Sequence, residues 1–489
     1  MDNHKDTPAA GQELDVLLEN TVGELPPSEP LTREITPWRR AMNRVLVGLA
    51  FTCLTPNFYE LNYILPTIGL ILMLLGFRSL RRENSHFGAG YLLTVVRGVL
   101  LFPALILNAT ILRETVPVIA DIQTALTALG VTATFLTTLC LWGGFRAVQR
   151  KAGLPPHAGS AAALALWDAL LIVFAMIGAA GLAVWLMLAA YILILRSLFR
   201  LSKELDEAGY AIAAAPVRIS DRALVIGLTA VLAAGIACGY LFFASYPMSW
   251  SAAEPAGQAG AETDRAALVS LGFPETVLDD LSSLDLDECR NAKRVVVSKN
   301  DYAVSEEGPK ILRLVCVGVE LTGDTPRWKL IHHFEWLKSP GYRGTEAIQF
   351  WPACSPERDC RLDSRFTGRV LCERNGTTLT APYYSLGDVT YESSSPFFGA
   401  RTQSDVFAEF SLPLGGQACR GYVSYTVAAG NSDCVIDSWG NYIYQRTPLS
   451  YPASIAAKDS ASYWNGGPFA VIQNALQFYP GDENAQPFS

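Results

Sequence analysis

The sequence predicts a polytopic α-helical membrane bundle of about seven spans, three hairpins plus one, followed by an extracytoplasmic, mostly β, sandwich-like domain. Three observations predict it. Residues 45–245 are overwhelmingly apolar, whereas 1–44 are polar and 246–489 have the texture of a globular domain. Three apolar runs end in similar basic clusters: Arg78, Arg81 and Arg82; Arg146, Arg150 and Lys151; Arg196, Arg200 and Lys203. Beyond residue 290 the chain becomes a series of short segments rich in Val, Ile, Tyr, Phe and Trp, separated by turn clusters.

In chain order, residues 1–44 form a cytoplasmic tail. Its ELDVLLENTV stretch sets Leu14, Leu17 and Leu18 at helical spacing, and two readings stay open: a short helix that docks a partner, or an inert tail. MDNHKDTPAAGQELD contains no apolar core, so an internal segment is expected to direct insertion. The bundle occupies 45–245. A spanning helix needs about 20 apolar residues to cross a hydrocarbon layer about 30 Å thick. Val45–Phe77 is 33 residues, long for one span and short for two, and PNFYELN interrupts it at 56–62. Arg39, Arg40 and Arg44 precede it and Arg78, Arg81 and Arg82 follow, so both ends are expected in the cytoplasm. The run therefore goes out and back, as a tight hairpin or a re-entrant loop.

The next regions repeat this logic. Gly90–Leu112 goes out, RETVPVIAD turns, and Ile122–Phe145 returns; Ser160–Ile177 goes out, GAAG turns, and Leu182–Leu195 returns. SLFRLSKELDEAGYA then reads as a cytoplasmic extension of the sixth helix, with Lys203 and Glu207 as an i,i+4 pair. A seventh run, Ala223–Ala244, carries the chain out. The expected protein is multi-pass in the plasma membrane, its N-terminus cytoplasmic and its C-terminal domain outside. The threefold basic echo has two readings, an ancient hairpin repeat or simple obedience to the positive-inside rule.

Charges inside the apolar runs are costly, about 2.5–3.5 kcal/mol on insertion scales. Arg97 and Asp168 lie seven or eight residues into their spans from the cytoplasmic side, roughly 10 to 12 Å deep at about 1.5 Å per residue. They form an expected intramembrane pair, either a structural lock on bundle register or part of a proton or ion relay.

Residues 246–264 read as a flexible linker, with SAAEPAGQAGAETD at its heart. Residues 265–489 form the β-rich domain. PETVLDDLSSLDLDEC opens it as a helical patch, with Pro274 at the start and Val277, Leu278 and Leu281 on one face. Strands are expected at 293–299, 311–320, 327–336, 345–351, 368–374, 405–412, 420–427 and 434–445, while GGPFAVIQNALQFY is open between strand and helix. Seven of the ten cysteines lie in this outer part, enough for up to three disulfides, with Cys354 and Cys360 the expected local pair.

No reaction is legible. There is no H-E-x-x-H, G-x-S-x-G, P-loop or paired C-x-x-C, so no catalytic residue, metal or cofactor is assigned. In WKLIHHFEW, alternation puts His332 with Trp328, Leu330, Phe334 and Trp336, and His333 with Lys329, Ile331 and Glu335. The first is expected in the core and the second in core or surface; two residues do not make a metal site. Trp328, Trp336, Trp351 and Trp439, with Trp464, either line a sugar or peptide groove or fill the core. Residues 246–489 carry 20 Lys and Arg against 29 Asp and Glu, net −9, and the rest 18 against 17, net +1. An acidic outer part argues against nucleic acid. The partners expected are the lipid bilayer and an extracytoplasmic ligand or protein. The function expected is that of a sensor-like binding module, with a cell-envelope hydrolase or a small-solute transporter as alternatives.

Overall fold

This computed structural model describes residues 36–487 apart from 57–59, 178–180, 213–214, 254–260, 304–308, 324, 339–343, 352–359, 363–364, 396–398, 430–433, 446–448, 455–468 and 483–484. The N-terminal region is helical: α1 (Pro37–Cys53), α2 (Leu61–Leu80), α3 (Ser85–Asn108), a single turn α4 (Leu112–Thr115), α5 (Pro117–Lys151), α6 (Gly159–Met176), α7 (Leu182–Glu207) and α8 (Asp221–Phe243). Among the described residues, α2, α3, α5, α6, α7 and α8 are long and apolar enough to cross a membrane. That is six, where the sequence leads one to expect about seven. The helix that falls short of that length is α1, with 17 residues and Arg39, Arg40 and Arg44 in its first half; it nonetheless runs from the basic end antiparallel to α2 and completes the hairpin.

The first two helices still form the expected hairpin, held by backbone approach. A Cβ added at Gly48 would stand 2.5 Å from the Gly69 carbonyl oxygen, and one at Gly76 2.7 Å from that of Ala41. Small residues at helix contacts are the packing device of membrane bundles, where apolar side chains gain little by leaving lipid.

The basic clusters gather at one end. Arg44 Nη1 lies 2.7 Å from Asp221 Oδ2 and Arg78 Nη1 lies 3.6 Å from Asp221 Oδ1. Lys151 reaches Glu83 at 2.6 Å, and Arg81 donates to the Pro216 carbonyl at 2.7 Å. The Lys203–Glu207 pair forms at 3.0 Å, as the spacing predicts. Side chains cap helices here: Thr36 accepts from Arg39 N–H, Asn84 from Phe87 N–H and Ser220 from Ala223 N–H.

The C-terminal domain sits on the other end of α2, α3 and α8. Tyr451 OH donates to the Leu105 carbonyl and Ala453 N–H to that of Asn108, each at 2.8 Å. Gln445 Nε2 donates to Tyr240 OH at 2.7 Å, and the Tyr63 and Tyr451 rings meet edge-on at 4.8 Å.

This domain contains two antiparallel sheets. Its strands are β1 (Ser251–Ala252), β2 (Arg294–Ala303), β3 (Lys310–Leu321), β4 (Arg327–Trp336), β5 (Glu346–Trp351), β6 (Cys360–Leu362), β7 (Thr367–Arg374), β8 (Thr377–Ala381), β9 (Ser385–Ser395), β10 (Gly399–Phe410), β11 (Gln417–Ala429), β12 (Ile436–Gln445) and β13 (Phe469–Phe478). One sheet runs β1-β8-β7-β11-β4-β3-β2, with β6 also on β11; the other runs β13-β12-β5-β10-β9. Inward residues of both, among them Trp328, Phe334, Phe350, Tyr425 and Phe478, share one core. The undecided C-terminal segment is strand β13. The expected linker is partly built: Ser251 and Ala252 pair with β8 as an edge strand, and Ala261–Ser270 is helix α9.

The helical patch forms α10 (Glu275–Asp280) and α11 (Ser283–Glu288). Val277, Leu278 and Leu281 pack on Val315, Val317, Val319 and Ile331, covering the outer face of the larger sheet. Strand β4 is consequently buried on both faces.

Candidate functional site

Alternation along β4 sends Trp328, Leu330, His332, Phe334 and Trp336 to the inter-sheet core and Lys329, Ile331 and His333 under the helices. The second face, left open between core and surface by the sequence, is covered and seals charges. Lys329 is 1% exposed. Its Nζ lies 2.8 Å from Asp285 Oδ1 and also pairs with Glu288. Asp285 accepts further hydrogen bonds from Ser282 at 2.6 Å, Thr367 at 2.8 Å and Ser424 at 3.0 Å, and from Tyr422 OH. Burial opposes ionisation of Asp285, but Lys329 and these donors outweigh it and hold the carboxyl well below the usual range. Burial likewise disfavours charge on Lys329, and the two carboxylates more than offset that.

Beside this pair, Asp280 is 1% exposed. It takes His333 Nε2 at 2.8 Å and Arg420 Nε at 2.7 Å, while Arg369 donates to the Asp280 and Leu281 carbonyls. His333 therefore pairs with Asp280, the last residue of α10 in the helical patch, and not with Glu335, which meets Arg313 at 3.1 Å. The described residues contain no group of three or more His, Cys, Asp or Glu able to hold a metal. The sequence signal for the cluster was present in two places read separately: the acids of PETVLDDLSSLDLDEC and the alternation of β4.

The inner face brings Cys316 Sγ within 3.3 Å of His332 Nδ1, with Asn474 Nδ2 3.3 Å from the same sulfur and Ser438 Oγ 2.7 Å from His332 Nε2. Thiol, imidazole and amide together suggest a nucleophile, but burial pushes the thiol up to about 12 and the imidazole down to about 4. Both stay neutral at pH 7, and the adjoining cavity of about 20 Å³ has room for one water and no substrate. This cluster is core.

The tryptophans divide. Trp328 and Trp336 are in the inter-sheet core, Trp336 Nε1 donating to Tyr442 OH at 2.9 Å. Trp351 and Trp439 face each other across β5 and β12 and are half-buried. Only this second pair has surface to offer a ligand; Trp464 lies outside the described residues. Cys354 also lies outside them, as does the side chain of Cys360. The disulfide present is Cys372–Cys419, 47 residues apart, joining β7 to β11. Spacing carries no signal for it, because it depends on which strands become neighbours.

In the bundle, Arg97 on α3 and Asp168 on α6 interact through space, and no ion pair within 4 Å joins them. Arg97 Nη1 lies 3.8 Å from Met73 Sδ. Asp168 Oδ2 is buried without a hydrogen-bond partner among the described residues. Thr138 of α5 lies against this carboxyl, and Tyr191 of α7, which donates to the Leu49 carbonyl at 2.8 Å, stands close to both charges. Five helices thus bring polar groups to one place.

No family model matches this chain, and no curated protein matches it. Among solved structures it is similar to one titled "Pore forming protein", at 8% identity and a TM-score of 0.20, covering 40% of this chain and 95% of that one. It is similar also to "Clostridium perfringens delta-toxin", at 5% identity and a TM-score of 0.21, covering 40% and 93%. Likeness at that level carries no argument about fold or activity.

Proposed function

We propose that this chain is a multi-pass membrane protein carrying an extracytoplasmic, sandwich-like ligand- or protein-binding domain, with a sensor-like role. One observation supports it above others. The basic clusters gather at one end of the apolar bundle and the β domain is seated on the opposite end. Under the positive-inside rule that arrangement supports the reading of a cytoplasmic N-terminus and a β domain outside the plasma membrane. The contacts of Gln445, Tyr451 and Ala453 with α2, α3 and α8 offer an event in the domain a direct path to the helices.

The test is a thermal-shift screen of the full chain in detergent against glycans, cell-wall fragments, peptides and divalent metals. A ligand at 100 times its dissociation constant adds about 2.7 kcal/mol. Hydrogen exchange then follows the hit. A sensor predicts changed protection in α2, α3 or α8 as well as in the domain. A hit that alters the domain alone removes the sensor role and leaves an anchored binder.

A second reading, small-solute transport, is favoured by the orphaned Asp168 carboxylate oxygen beside Arg97. Solute flux in proteoliposomes that Asp168→Asn abolishes would replace the binding reading with this one.

A further inference from the structure

A cleft of about 230 Å³ opens where the chain leaves α8 for the β domain. Tyr246, Met248 and Trp250 form one wall, directly after the helix; Ser411 and Leu414, from the β10–β11 connection, form another, and Arg374 at the end of β7 closes it. Several features point to the same kind of occupant. The lining contains one cation and no carboxylate, although residues 246–489 carry net −9. Arg374 is exposed and makes no hydrogen bond or ion pair with any described residue. Ser411 is buried and its Oγ accepts the Tyr246 N–H at 2.9 Å, which leaves its own proton free to donate. Leu414 is 57% exposed at the rim, and Leu241 and Phe242, on the last turn of α8, are 72% and 75% exposed. Exposed apolar side chains thus stand on the last turn of α8, just before the first lining residue, and at the rim of a pocket that also holds a guanidinium. Tyr and Trp at such a level are what an interface between hydrocarbon and water favours.

We propose that this cleft binds the phosphate head group of an anionic glycerophospholipid from the outer leaflet. Arg374 and the Ser411 hydroxyl take the phosphate, Trp250 and Tyr246 flank the glycerol, and Met248 and Leu414 meet the start of an acyl chain. The proposal rests on the reading that α8 crosses a membrane.

The test uses the full chain in detergent, titrated with dihexanoyl-phosphatidylglycerol, dihexanoyl-phosphatidylcholine or inorganic phosphate. The readout is the tryptophan fluorescence change that is lost in Trp250→Phe. Phosphatidylglycerol is expected to saturate the signal, and Arg374→Ala to weaken binding roughly tenfold, the worth of one charge-assisted hydrogen bond. Arg374→Lys should retain part of it. Arg374 is exposed, so its replacement leaves the domain folded, which the melting curve checks. Unchanged affinity in Arg374→Ala overturns the site. Equal binding of phosphatidylcholine overturns the anionic head group, and equal binding of inorganic phosphate overturns the lipid. A chain that resists carbonate extraction from membranes yet gives no such signal refutes this inference alone; a chain extracted by carbonate refutes the membrane reading beneath it.

Discussion

In the bundle many large apolar side chains point outward: Leu186, Leu193, Ile226 and Val231 are each more than 60% exposed, while Trp38, Phe77, Phe87 and Phe145 are buried together and Gly48, Gly69 and Gly76 sit at the helix contacts. In the β domain the arrangement inverts. Trp328, Tyr425 and Phe350 are sealed between sheets, and even Lys329, Asp280 and Asp285 are enclosed, each with partners. Cohesion between the first two helices depends on how closely their backbones approach at Gly48, Gly69 and Gly76. Cohesion in the β domain depends on apolar area removed from water and on charges that must stay paired once buried. Changes in one region should therefore fail by a different mechanism from changes in the other.

The largest effect is expected from Asp285→Asn. It leaves Lys329 buried with Glu288 as its remaining counter-charge, and should cost about 3–5 kcal/mol in chemical denaturation of the β domain. A loss below ~1 kcal/mol would mean that water reaches Lys329 and that the helical cover is loose. Next, Cys372→Ser, or reduction of the wild type, should cost about 2–4 kcal/mol by loosening a 47-residue loop in the unfolded chain. Neither change should alter how the bundle melts, because neither residue contacts it.

A pH series separates the buried groups. Glu346 accepts hydrogen bonds from Tyr442 OH and Trp336 Nε1, and burial pushes it up from 4.5 to about 7. Between those values the unfolded chain has released a proton that the folded one keeps, so Glu346 makes stability fall as pH rises. His332 acts in the opposite sense. Its folded value is about 4 against 6.5, so over that window the unfolded chain holds the extra proton and stability rises with pH. Glu346→Gln removes only the first contribution. Relative to wild type its stability should climb by about 3 kcal/mol from pH 4.5 to 7, read from denaturation midpoints at each pH. Parallel curves would contradict a carboxyl buried as described.

The smallest effect belongs to the bundle. Gly69→Ala puts a Cβ 2.6 Å from the Gly48 carbonyl oxygen, so α1 and α2 must separate, at about 1–3 kcal/mol. Detergent melting should register it, and the β domain should not.

These differences also explain what was legible in the chain. Arg78, Arg146 and Lys151 announce helix ends because charges close an apolar run, a local signal that needs no partner. Strands β2 to β5, β7, the second half of β10, β11 and β12 are legible because Val, Ile and aromatic residues mark the faces they bury. Strand β9, SLGDVTYESSS, is polar, and β8 is only TTLTA; both exist by pairing with neighbours and escape the eye. The Cys372–Cys419 bridge and the Asp285–Lys329 pair escape for the same reason, since each joins residues over 40 positions apart. Helix α1 is shorter in its apolar part than the sequence suggests, because Arg39, Arg40 and Arg44 belong to the helix and not to a preceding tail.

The most direct test of the whole account is sidedness. Cysteines introduced at Thr377, exposed at the start of β8, and at Arg82, exposed at the basic end, would be probed with a membrane-impermeant maleimide on intact cells, with the unaltered chain as background. The account predicts that Thr377→Cys is labelled at once and Arg82→Cys only after permeabilisation. The reverse pattern would put the β domain in the cytoplasm, and immediate labelling of both would mean that the apolar helices do not lie across a bilayer.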